Sequence, residues 1–188
     1  MTIDEESAQR RQELLAKRDR LRADQAGRMA RQQHAEKVAR FEQHLGAALR
    51  QAGVRHEVLW DGDTRRGPLA QYPIGFASVR WDRVPHAVSA RGASDEELKE
   101  LFDVALHALG LAPTATVIVD WARGDMPRVA LSVADASTHA LTLMRQASDM
   151  WVYADDAPWL IEVYHEGTIT YADRPGQAED AGDGWRRR

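Results

Sequence analysis

The first proline of this chain is Pro68, and residues 4–52 ahead of it are rich in Ala, Glu, Arg, Gln and Leu. These are strong helix formers, no proline interrupts them, and Gly27 and Gly46 are the weak points. The spacing therefore predicts one long helix that occupies the first quarter of the chain. Thr2 and Glu5 match a capping box, in which hydroxyl and carboxylate satisfy free backbone N–H groups. Charged pairs four residues apart support the helix: Glu6/Arg10, Glu13/Lys17, Asp24/Arg28 and Glu36/Arg40. Gly53 supplies the stop.

The helix divides in two. Val38, Phe41, Leu45, Ala48 and Leu49 share a face, so residues 34–53 are expected to dock on a core. Upstream, a seven-residue repeat opens with Leu14 and Leu21 but continues with Arg28 and Ala35. A coiled coil needs sustained apolar a and d positions. Residues 1–33 are therefore expected to form a solvated arm that pairs at most weakly with another copy or a partner. Eight cations of the arm, from Arg10 to Arg31, could meet phosphates. Acids are interleaved with them, no aromatic residue offers a stacking platform, and no helix-turn-helix or RNA-binding signature is present. The arm reads as a salt-bridged exposed helix, and nucleic acid is not the expected partner.

Charge is split along the chain. The net charge is -4, yet residues 1–50 hold 11 Lys+Arg against 8 Asp+Glu, and residues 51–188 hold 14 against 21. An acidic body repels nucleic acid and attracts basic partners. A hydrophobic fraction of 44% supports a packed core. The absence of cysteine removes disulfides, thiolate metal sites and cysteine nucleophiles. No apolar run approaches the roughly 20 residues of a membrane helix. No apolar run follows the polar N-terminus either, so a cytoplasmic protein is expected.

After Gly53 the period changes from helical to alternating. Residues 54–60 read as a strand and 61–68 as a loop. Residues 74–81 read as a second strand, with Phe76 on one face and Val79 and Trp81 on the other. Residues 84–88 are expected to re-enter the sheet around Pro85, at an edge. Ser94 and Glu97 make a capping box for a helix whose stripe is Leu98, Leu101, Phe102, Ala105, Leu106 and Leu109. Gly110 and Pro113 end it. Residues 114–121 and 128–133 form a hairpin. Residues 137–148 read as a helix that buries Leu141, Met144 and Ala147. Residues 150–153, 159–165 and 168–171 form a three-strand meander with turns at 155–158 and 166–167. Strands and helices do not alternate one for one. The fold class is therefore α+β: a long N-terminal helix, then an antiparallel or mixed sheet with two helices on it. The expected organisation is a helix over 1–53, an α+β domain over 54–172 and a disordered tail over 173–188.

Motifs for chemistry are weak. Glycine-rich phosphate loops and metal-ligand spacings are absent, and the serines lie in no nucleophile elbow. His56-Glu57 and His165-Glu166 are adjacent in strands, where neighbours face opposite ways. No metal and no cofactor is expected. The candidates for acid–base work are His165, Glu162 and Asp120. The most distinctive stretch is 151–171, which mixes Trp and Tyr with acids. Its aromatic residues could serve as the core of a meander. As a contact face for a partner protein, they would present Trp151, Tyr153, Asp155, Asp156, Trp159, Tyr164 and Glu166. This stretch resembles in its general look the small bacterial immunity proteins encoded beside polymorphic toxins. That resemblance implies a binding role and carries no residue assignments.

Three functions follow as expectations. The first is a non-enzymatic module that binds or inhibits a partner protein, a basic one being the complement of its acidic body. The second is a homo-oligomeric assembly protein that uses the N-terminal helix. The third is a small enzyme that uses His165 with a nearby carboxylate.

Overall fold

The computed structural model describes residues 3–60, 68–75, 78–121 and 126–175. The Thr2/Glu5 capping box, the loop at 61–67, Phe76 and the tail from residue 176 lie outside the described residues. Contacts divide the chain into two units, residues 1–43 and 44–188.

The first unit is helix α1, Ile3–Phe41. From Arg10 to Glu36 the described side chains are exposed, apart from the partly covered Gly27. A π-helical turn, Glu42–Gly46, follows, and then α2, Ala47–Gln51. Phe41, Leu45 and Leu49 are buried, while Val38 is half-buried and Ala48 exposed. The switch to i→i+5 hydrogen bonding rotates the helix faces, so a stripe counted at 3.6 residues per turn loses register there.

The second unit is a seven-stranded sheet in which every neighbouring pair is antiparallel, in the order β1-β4-β3-β5-β6-β7-β2. The strands are β1 His56–Leu59, β2 Val88–Arg91, β3 Thr116–Asp120, β4 Arg128–Ser132, β5 Met150–Tyr153, β6 Leu160–Tyr164 and β7 Thr168–Ala172. The hairpin and the meander stand where the alternation placed them. Antiparallel register puts Val117, Val119, Val129, Val152, Ile161 and Ile169 on one face, all buried. Trp121 continues that face, and its indole N–H donates to the Leu143 carbonyl at 2.9 Å. The short helices therefore cover this side.

Helix α3, Asp95–Ala108, is the element most fully written in the sequence. The Ser94 hydroxyl accepts from Glu97 N–H at 3.2 Å, and Phe102, Ala105 and Leu106 are buried. Gly110 closes it at φ +66, a conformation that needs no Cβ. Gly167, at φ +80, turns β6 into β7. A Cβ there would stand 2.8 Å from the Gly92 carbonyl oxygen, so only glycine fits.

Three expectations are corrected. The described residues of 74–81 do not form a strand: Ile74 and Val79 form a single bridge, and Trp81–Arg83 is a 3-10 turn. The edge strand instead begins at Val88, just beyond Pro85. The expected helix over 137–148 is two shorter helices, α4 Val133–Thr138 and α5 Ala140–Met144. Ser132 rather than Ser137 caps α4, accepting from Asp135 N–H at 3.0 Å. The buried set is consequently Val133, Ala136, Ala140 and Leu143, and Leu141, Met144 and Ala147 are only partly covered. Among the described residues three α-helices, not two, thus follow the first strand.

Candidate functional site

The second face of the sheet carries the chemistry. Register aligns Asp120, Trp151, Glu162 and Thr170 in one row across β3, β5, β6 and β7, with Ser89 continuing it on β2. Directly opposed residues in antiparallel strands share a face. Asp120, Glu162 and Thr170 are buried. Burial without partners would cost each carboxylate several kcal/mol, of order the values measured for uncompensated charges.

Glu162 is satisfied by N–H groups alone in the described contacts. Its Oε1 accepts from the Trp151 indole at 2.7 Å and from Val79 N–H at 3.1 Å, and its Oε2 accepts from the Trp81 indole at 2.5 Å. The carboxylate thereby holds the Val79–Trp81 segment over the sheet. Strand alternation places His165 in the opposite register from Glu162, and the two are not brought together as an acid–base pair.

Asp120 belongs to a second cluster, in which Tyr153, the last residue of β5, reaches back to Asp120 at the end of β3 and Arg128 at the start of β4. The Tyr153 hydroxyl donates to Asp120 at 3.4 Å and accepts from the Arg128 guanidinium at 3.2 Å. Burial pushes the Tyr153 hydroxyl up from 10.0 to about 12. The hydrogen bond and charge of Arg128 oppose that rise, and Asp120 and Asp155 add to it. Burial works to lower the Arg128 value, but the bond to Tyr153 and the charges of Asp120 and Asp155 outweigh it and raise the guanidinium further. The β5–β6 turn is clamped from the side by Tyr72, whose hydroxyl donates to the carbonyls of Pro158 at 2.8 Å and Ala172 at 3.3 Å.

His165 has a carboxylate of its own, one the sequence reading did not nominate. Its Nδ1 lies 3.0 Å from Asp149 Oδ1, and the same oxygen accepts from His165 N–H at 3.2 Å. The imidazole also packs on the Tyr164 ring, with centroids 4.1 Å apart. Asp149 could be found only through the register: pairing Met150 with Val163 brings Asp149 beside Tyr164 and His165.

The seven residues expected to form a contact face separate into three groups. Trp151, Tyr153 and Trp159 are buried, so they support the meander and are not presented to solvent. Asp155 and Asp156 are exposed on the β5–β6 turn. Half-buried Tyr164 and exposed Glu166 lie at the other end of β6, beside His165. One continuous acidic-aromatic surface is therefore corrected to two separate ends, because β6 runs five residues between its turns.

An open groove of about 590 Å³ lies at the β1 edge, lined by Arg55, His56, Glu57, Thr116, Ser132 and Asp135 among others. His56 uses Nδ1 on the Val54 carbonyl at 3.1 Å, and the Ser132 hydroxyl donates to Asp135 at 2.7 Å. Among the described residues no group of three or more His, Asp or Glu is placed to hold a metal ion, and no helix is long and apolar enough to cross a membrane. No protein-family model matches the chain, and no curated protein matches it.

Proposed function

We propose that this chain is a non-enzymatic protein-binding module of the cytoplasm, and that its acidic α+β unit engages a basic partner through the β5–β6 end of the sheet. One observation carries the reading. Asp155 and Asp156 are both exposed on a turn whose base is buried, with Tyr153 and Trp159 beneath it and Tyr72 hydrogen-bonded to Pro158. Charges held on a braced turn lose little conformational entropy on binding and steer a complementary partner. Exposed Asp173, at the end of the neighbouring β7, adds to the same field.

The test compares the full chain with its Asp155→Asn/Asp156→Asn variant as immobilised baits for an extract of the source cells. The expected result is one basic protein held in fixed ratio by the unaltered chain, eluted by salt and lost from the variant. Equal retention by both baits, or retention indifferent to salt, would overturn the reading.

A second reading rests on the His165–Asp149 pair. A carboxylate on Nδ1 fixes the imidazole so that Nε2 is left to accept a proton, the minimum for general base catalysis. A metabolite screen of the chain against His165→Ala tests it. Turnover that survives the substitution would remove His165 from the chemistry.

A further inference from the structure

Helix α1 sorts its residues by charge and polarity to a degree that composition conceals. Along a 3-4 spacing, one seam reads Arg11, Leu14, Arg18, Leu21, Gln25, Arg28. In heptad terms the leucines take d positions and the arginines Arg11 and Arg18 take a positions. Arg10 and Lys17 flank the seam at g, and Arg22 flanks it at e. Leu15 and Met29 occupy the remaining e positions. At about 100° per residue all of these fall within an arc of about 160°. No acid lies inside that arc from Arg10 to Gln32; Asp24, at the g position after Lys17, stands on its border, and Asp19 faces the other way. The opposite side carries Ala16, Ala23 and Ala30 with Arg20, and Ala26 borders the arc beside Leu15.

The apolar members are open to solvent: Leu14 is 63% exposed, Leu21 60% and Met29 52%. The cations beside them are exposed too. Arg18 lies 3.3 Å from Asp19, a surface pair between sequence neighbours that contributes little.

We propose that this face of α1 docks an acidic amphipathic helix of a partner protein, with leucine-like residues meeting Leu14 and Leu21 and carboxylates meeting Arg11, Lys17, Arg18 and Arg22. Charge complementarity selects that occupant. A second copy of α1 is disfavoured, because parallel pairing sets Arg11 and Arg18 against themselves and Lys17 against Arg22, and antiparallel pairing gathers the same cations in one seam. A lipid surface requires apolar and basic residues on separate faces, whereas here they share one. Nucleic acid would engage the cations but leave the leucines in water, and residues 10–33 contain no aromatic side chain for base stacking. The face spans three heptads, about 33 Å from Arg10 to Gln32, enough for a helical pair.

The test uses the full chain and a labelled synthetic helix of three heptads with Leu at d and Glu at a, e and g. Saturable one-to-one binding is expected, weakened about tenfold or more by high salt. Leu14→Ala/Leu21→Ala and Arg11→Glu/Arg18→Glu are each expected to weaken it about tenfold or more, with helicity by circular dichroism retained. A probe with Lys at its a positions should restore binding to Arg11→Glu/Arg18→Glu. No saturable binding, or binding unchanged in the two variants, would overturn the proposal. So would tighter binding to phosphatidylglycerol-containing vesicles or duplex DNA than to the probe, or salt-sensitive self-association of the chain alone in sedimentation. Asp155→Asn/Asp156→Asn should leave probe binding intact, so this proposal and the one for the acidic sheet end fail separately.

Discussion

Helices α1 and α3 draw on similar residue types and use them in opposite ways. In α3 the apolar residues recur at three and four positions, with only Val104 off the stripe and exposed, so one face meets the core and Phe102, Ala105 and Leu106 are buried. In α1 each apolar position of the seam alternates with a cation, and from Arg10 to Glu36 only Gly27 is even partly covered among the described side chains. Helix propensity is common to both. What differs is whether the 3.6-residue period selects apolar residues alone. Short helices depend on tertiary packing, whereas a helix of 39 residues can persist on propagation along its own length. α3 is thus a structural element of the sheet, and α1 is a surface.

The largest expected effect follows from α3. Phe102→Ala removes a side chain that is 0% exposed, and it should lower unfolding stability by about 3–5 kcal/mol in urea titration. A change of under about 1 kcal/mol would mean that α3 is no more embedded than α1.

A smaller loss is expected at Glu162. Glu162→Gln keeps the shape but replaces one acceptor oxygen with an amide NH₂, which must then face an N–H donor. An unmet buried donor costs about 1–3 kcal/mol. Urea titration should show that loss, and tryptophan emission should shift as the Trp81 indole loses its partner. An unchanged emission spectrum would mean that the Val79–Trp81 segment is held without this carboxylate.

How far these sites could be read from sequence differs by the physics involved. α3 and the 150–172 meander were legible because one period ran unbroken between clear stops, Ser94 and Gly110 in one case and the turns at 155–158 and 166–167 in the other. Residues 74–81 misled because alternation is necessary for a strand but not sufficient. With no partner strand beside it, Trp81 enters a 3-10 turn, its N–H bonded to the Val79 carbonyl and its carbonyl to Val84 N–H, and its indole donates to Glu162. The start of α4 was missed because Ser132 ends β4 and caps the helix at once, leaving no loop between them. For the candidate site, the acids of the β5–β6 turn were visible as turn residues. For Trp151 and Trp159 the sequence allowed both a core and a contact-face reading, and burial decides for the core; alternation could not choose, because both faces of the central strands are covered and it then no longer reports exposure. The His165–Asp149 contact depends on register, which no local pattern encodes.

The sheet end also titrates. The Tyr153 hydroxyl has a folded value of about 12 against an ordinary 10.0, so the protonated form is the one the fold favours. Its contribution is complete below pH 10 and is lost as pH rises from 10 to about 12. Two units correspond to at most about 3 kcal/mol. Tyr72 is also pushed up, by burial first and by Asp173 second, so it contributes a background slope of the same sign. Stability measured against pH should therefore fall less steeply in Tyr153→Phe than in the unaltered chain. Equal slopes would assign the alkaline loss to Tyr72 and other groups.

The smallest effect lies in α1 and has the opposite sign. Gly27 sits in the helix interior without a positive φ, and a Cβ there would meet only the Arg31 guanidinium, at an ordinary 3.5 Å. Gly27→Ala should stabilise the helix by about 1 kcal/mol, because glycine has more backbone entropy to lose. Residue 27 lies on the side away from the basic-apolar seam, so the substitution alters the order of the helix without altering the surface it offers. Amide exchange across residues 20–34 should slow by a few fold, and the acidic probe should bind slightly more tightly because less ordering remains to be done on association. Slower exchange with unchanged affinity would mean that α1 is already fully ordered where the probe sits. Unchanged exchange would mean that the neighbouring turns, and not Gly27, limit its opening.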